Sequence, residues 1–79
     1  MARRNLHDMP GPALLAVKRA IVARWTGSRS LAEATADAGA AAYARAKVRG
    51  CGELVADRAR RLVEDVGAEM RCEIDELTR

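Results

Sequence analysis

Apolar side chains recur at helical spacing through most of this chain and divide it into three segments. The apolar positions of the first segment are Leu14, Val17, Ile21 and Trp25. Their spacing of three or four residues places them on one face of a helix. Pro12 suits the first turn of such a helix, and Gly27 suits a left-handed end. The pattern predicts a first helix over residues 13–26.

The second segment begins with the clearest helix-start signal in the chain. Ser30 and Glu33 form a capping box, in which each side chain accepts a hydrogen bond from the backbone amide of the other residue. Nine of the sixteen residues from 31 to 46 are alanine, a strong helix former. The sequence predicts a helix over residues 31–49, in which Gly39 marks either a break or a close crossing.

The third segment follows the turn at Gly50 and Gly52 and carries the longest apolar stripe. Its members are Val55, Ala59, Leu62, Val66, Met70, Ile74 and Leu77. Their mean spacing of about 3.7 residues is closer to an eleven-residue repeat than to a strict heptad, so a long left-handed coiled coil is not favoured. The pattern predicts a helix over residues 53–77.

The predicted helices differ in length, and this difference leaves an apolar surface without a partner. At about 1.5 Å per residue, the first helix measures roughly 20 Å and the third roughly 37 Å. The first helix is therefore too short to cover the third, and an uncovered apolar patch usually marks a partner surface. A frayed last turn is the alternative interpretation. The predicted partner or dimer interface consists of Leu62, Val66, Met70, Ile74 and Leu77.

Together the segments predict an all-α fold, a small three-helix bundle with a flexible basic N-terminal arm. The arm comprises residues 1–12, and residues 13–79 form one helical domain. With 79 residues and no phenylalanine, the chain buries a small core. Because such chains are often stabilised by association, we expect a homodimer.

Charge is distributed unevenly along the chain. Residues 1–49 carry nine basic and three acidic side chains, and residues 50–79 carry five basic and eight acidic ones. The asymmetry indicates either an anionic partner for the first part or complementary contacts between copies. The candidate contacts to a nucleic acid or another anionic partner are Arg3, Arg4, Arg24, Arg29, Arg45, Lys47 and Arg49. Basic residues near helix ends also complement the helix dipole, which is the alternative.

Catalytic and metal chemistry find little support in the sequence. His7 is the only histidine and lies in the predicted arm, away from any second group that could form a nucleophile–base pair. Cys51 and Cys72 lack the short paired spacing of zinc ligands. Cys51, between two glycines, is a candidate for a redox role or an interchain disulfide, against the interpretation as a small turn residue. We expect no enzyme, no cofactor, no metal and no small-molecule substrate.

The segment from Leu31 to Gly39 resembles the first half of a helix-turn-helix, with apolar and small residues ending in glycine. The second half departs from that motif. Ala40 stands where a larger aliphatic residue is usual, no serine or threonine follows to cap a recognition helix, and Arg45 occupies a position normally buried.

The sequence thus predicts a non-catalytic helical protein that binds a macromolecular partner, as a regulator, an assembly factor or an inhibitor of bacterial or phage origin. The alternative is a small DNA-binding regulator with a degenerate helix-turn-helix and a basic arm. No apolar run approaches the roughly 18 residues of a membrane span, and no signal peptide is recognisable. We expect a cytoplasmic location without membrane contact.

Overall fold

The computed structural model describes residues 10–78, and these residues fold into three helices without any strand. Helix α1 spans Gly11–Arg24, helix α2 spans Leu31–Val48 and helix α3 spans Glu53–Leu77. The predicted all-α, three-helix class is confirmed. Most of the predicted N-terminal arm, including Arg3, Arg4 and His7, lies outside the described residues.

Helix α1 begins and ends two residues earlier than the predicted range of 13–26. Pro10 precedes it and accepts a hydrogen bond from the Leu14 amide at 3.1 Å. Pro12 is tolerated in the first turn because amides there have no intrahelical acceptor. At the other end Trp25 leaves the helical conformation, with φ −92° and ψ 75°. Gly27 then takes the predicted left-handed conformation, at φ 61°.

The starts of α2 and α3 follow the sequence closely. Ser30 Oγ accepts from the Glu33 amide at 3.1 Å, and Glu33 Oε1 accepts from the Ser30 amide at 3.0 Å, so the predicted capping box is confirmed. Helix α2 ends at Val48, one residue before the predicted end, and α3 has the predicted bounds. Between them Gly50 adopts φ 87°, which an L side chain rarely tolerates.

Helices α2 and α3 form an antiparallel hairpin that is packed closely through two glycines. A Cβ on Gly39 of α2 would lie 3.3 Å from Arg60 Cγ of α3, and a Cβ on Gly67 of α3 would lie 2.9 Å from Thr35 Cβ. Thr35 is buried, and its hydroxyl donates to the Leu31 carbonyl at 2.8 Å. Gly39 therefore marks a close crossing, not a break.

The core lies where α1 packs onto this hairpin. Its buried members are Ile21, Ala34, Ala38, Val63 and Val66, and the half-buried residues around them are Leu14, Val17, Leu31, Ala42, Leu62 and Met70. Ile21 and Val66 are the largest fully buried side chains. Few large side chains are fully buried, because alanines and glycines let the helix backbones approach closely.

The buried face of α3 differs from the apolar stripe predicted for it. Its buried residues are Ala56, Val63, Val66 and Gly67, whereas Val55 and Leu77 at the two ends of the stripe are exposed. The buried face is turned toward α2 because small residues at 56 and 67 allow contact that large side chains would prevent. Leu15 and Val22 of α1 are also exposed.

Candidate interaction surfaces

The predicted α3 interface is divided between the core and the surface. Val66 is fully buried, and Leu62 and Met70 pack against the core cluster. Ile74 is half-buried and lines a groove with Trp25, whereas Leu77 is 85% exposed. The structure therefore does not bring these five residues together on one open surface.

One group of exposed apolar residues lies at the end of the α2–α3 hairpin. Val48 is 87% exposed, Leu54 67% and Val55 51%. We call residues 43–55 the hairpin end. A sequence signal for it existed, since Leu54 stands off the apolar stripe and Val48 precedes a glycine turn, but large apolar residues next to turns are frequently buried.

Polar contacts connect the two helices at the hairpin end. The Tyr43 hydroxyl donates a hydrogen bond to Glu53, and Lys47 Nζ donates to the other carboxylate oxygen at 3.1 Å. The bond from Tyr43, and then that from Lys47, lower the pKa of the Glu53 carboxyl. The same contacts raise the pKa of Tyr43 and of Lys47, because each loses its partnership with the carboxylate on deprotonation.

The predicted basic contacts fall into two groups. Three are engaged within the chain: Arg24 donates to the Ala20 carbonyl at 3.1 Å, Arg29 pairs with Asp37, and Lys47 pairs with Glu53. Arg45 and Arg49 are exposed at the hairpin end and have no ion-pair partner among residues 10–78. Of the predicted basic contacts within the described residues, those left available to an anionic partner thus lie beside Val48.

A second open surface follows the seam between α2 and α3. Three shallow grooves run along it, lined by residues of these helices and by Trp25, which follows α1. The middle groove has a floor of small residues, including Ala32, Ala36, Gly67 and Ala68. We call this surface the seam face. No sequence pattern predicts this face, because alanine carries no periodicity signal in a helix where half of the residues are alanine.

Residues 10–78 bring no metal-ligand cluster together, and their two cysteines form no disulfide. Within this range, no group of three or more histidine, cysteine or acidic side chains could hold a metal ion. Cys51 is half-buried in the turn, and its amide donates to the Ala46 carbonyl at 3.0 Å. No disulfide joins it to Cys72. None of the three described helices is both long and apolar enough to cross a membrane.

Residues 10–78 thus form a small three-helix all-α fold that leaves the hairpin end and the seam face open. Comparisons with protein families, with curated proteins and with solved structures gave no match.

Proposed function

We propose that this chain is a non-catalytic interaction protein and that the hairpin end docks onto another protein. The observation that carries the proposal is the exposure of Val48, Leu54 and Val55 in one short stretch. Exposed aliphatic side chains in a contiguous group are characteristic of protein interaction sites. The partner would offer an apolar surface of similar size.

Charge at the hairpin end specifies the partner further. Arg45 and Arg49 flank the apolar group and have no ion-pair partner among the described residues. Arginine at the rim of an interface pairs with carboxylates and orients the approaching molecule. The partner surface should therefore be apolar at its centre and acidic at its edge.

A photo-crosslinking side chain at position 54, with a control at position 77, tests this proposal in the native host. Both positions are exposed leucines of α3 at opposite ends of the helix. The proposal expects a protein that is captured from position 54 and not from position 77. Capture of the same proteins from both positions would refute it.

The captured protein then has to depend on the hairpin end when purified. Val48→Ser combined with Leu54→Ser should weaken binding at least tenfold, since burying each aliphatic side chain contributes about 1.5 kcal/mol or more. Leu77→Ser should leave the affinity unchanged. Equal binding by wild type and the double variant would contradict the proposal.

DNA binding is the second candidate, and the two unpaired arginines favour it. Fluorescence anisotropy with a short duplex at low salt separates it from protein docking. DNA binding should fall steeply with salt, be lost in the double variant Arg45→Ala with Arg49→Ala, and survive the double variant Val48→Ser with Leu54→Ser. Those three results together would replace the protein-docking proposal. The three engaged basic side chains argue for the first candidate.

A further inference from the structure

We infer that the seam face binds a second copy of this chain in an antiparallel, two-fold arrangement. The proposal concerns a different surface from the hairpin end and does not depend on it. It begins from the packing of the layers. Helix α1 packs onto the core side of the hairpin, whereas the seam side carries exposed alanines at positions 32, 36 and 40 without any covering element among residues 10–78.

The charges on the α3 part of the seam face identify the occupant. Arg60, Glu64, Arg71 and Asp75 line the seam grooves. Their signs alternate along the helix, and their positions are symmetric about the point between Gly67 and Ala68. When a second α3 runs antiparallel across that point, Glu64 faces the other copy's Arg71, and Arg60 faces the other copy's Asp75. Each contact occurs twice, as two-fold symmetry requires.

Other arrangements of two copies are unfavourable for the same charges. A parallel pair in the same register would place Glu64 on Glu64 and Arg71 on Arg71. Glu64 and Arg71 have no ion-pair partner within the described residues, so antiparallel association breaks no existing ion pair of either residue. Arg60 would exchange part of its contact with Asp57, which retains Arg61 at 2.9 Å.

Small residues at the centre of the seam face allow the two layers to come close. Ala68 projects from α3, and Ala32 and Ala36 project from α2. Helix α3 would be in contact over roughly 27 Å and α2, whose Thr35 lies opposite Gly67, over roughly 13 Å, so helices about 10 Å wide bury about 400 Å² per copy. That area is typical of weak, transient interfaces, so the dimer should dissociate in the micromolar range and weaken with salt.

Sedimentation equilibrium over concentrations up to several hundred micromolar tests the arrangement. Wild type should show a reversible monomer–dimer equilibrium. Glu64→Arg alone and Arg71→Glu alone should each weaken it about tenfold or more, because like charges then meet twice. The combined Glu64→Arg, Arg71→Glu variant should restore dimerisation, since the pairs are re-formed with exchanged signs.

Matched charge reversals elsewhere on α3 serve as controls. Glu76→Arg and Arg58→Glu alter exposed residues outside the seam face and should leave the equilibrium unchanged. Circular dichroism of every variant confirms that the helices persist. A wild type that stays monomeric, single reversals without effect, or a double reversal that fails to restore the dimer would each overturn the proposal.

Discussion

Substitution of Gly67 by alanine should destabilise this protein, although alanine is the better helix former. In a helix interior, replacing glycine with alanine normally gains about 1 kcal/mol. Here the new methyl group would lie 2.9 Å from Thr35 Cβ and closer still to the other Thr35 side-chain atoms. Unbonded carbons pack best at about 3.5–4.0 Å, so α2 and α3 would have to separate.

The magnitude follows from how firmly Thr35 is held. Its side chain is buried, and its hydroxyl is fixed by the 2.8 Å hydrogen bond to the Leu31 carbonyl. Relief by rotation of Thr35 would therefore break a buried hydrogen bond. Overpacking typically costs about 1–3 kcal/mol, and here we expect the upper part of that range. After the gain in helix propensity, Gly67→Ala should lower the free energy of unfolding by about 1–2 kcal/mol.

Urea denaturation followed by circular dichroism, at one low protein concentration, measures the effect. In thermal melts a loss of this size lowers Tm by roughly 5–15 °C for a chain of this length. Gly39→Ala is the matched control. Its Cβ would meet Arg60 Cγ at 3.3 Å and the Arg60 carbonyl oxygen at 3.4 Å, and the Arg60 side chain can yield. That variant should be unchanged in stability or gain up to about 1 kcal/mol.

A double substitution distinguishes this explanation from a general intolerance of position 67. In a Thr35→Ala background the two closest contacts, with Cγ2 and Oγ1, are gone and only the 2.9 Å approach to Cβ remains, so Gly67→Ala should destabilise the protein much less. The two substitutions should thus be non-additive by at least about 1 kcal/mol. The inferred close packing of Thr35 against Gly67 is wrong if Gly67→Ala is as stable as wild type. It is also wrong if the Thr35→Ala background does not reduce the stability lost in Gly67→Ala.

Three further predictions concern the helix cap, the hairpin end and the core. Ser30→Ala should cost about 1 kcal/mol in urea denaturation. Hydrogen bonds with the Ser30 amide, and then with its side chain, lower the pKa of Glu33 below its ordinary value of 4.5. The stability that the ionised Glu33 contributes is therefore fully present above pH 4.5 and is lost as the pH falls through the lowered pKa. If the stability of wild type varies with acid no more than that of Glu33→Gln, this prediction is contradicted. Tyr43 is the only tyrosine, so a titration followed by absorbance at 295 nm should report a Tyr43 pKa above the ordinary 10.0. In Glu53→Gln the Tyr43 pKa should fall back toward 10.0, because the carboxylate that accepts its hydrogen bond is gone. Val66→Ala should cost about 2 kcal/mol because the residue is fully buried, and a loss under half of that would show that Val66 lies outside the core.

Much of the fold was predictable because its signals are local. The capping box of Ser30 and Glu33, the left-handed conformation of Gly27, the glycine turn at Gly50 and the bounds of α3 depend on neighbouring residues alone. The difference between the buried face of α3 and its predicted apolar stripe was not predictable in this way. Large apolar residues dominate a periodicity pattern, whereas Ala56 and Gly67 are buried because they are small.

The candidate surfaces depended even more on tertiary structure. The sequence supplied the basic residues, but only the folded chain shows that Arg24, Arg29 and Lys47 are engaged while Arg45 and Arg49 are not. Side-chain pairing across eight residues, as between Arg29 and Asp37, follows from the turn geometry that joins α1 to α2.

By itself the sequence determined that residues 10–78 form three helices, where two of them begin and where the turns lie. These properties arise from backbone propensities and from contacts a few residues apart. Tertiary structure decided which helix faces are buried, which apolar residues remain at the hairpin end and which charges are left for a partner. Those outcomes depend on the distance between α2 and α3, and that distance is set by Thr35 against Gly67 and by Gly39 against Arg60, pairs that are far apart along the chain.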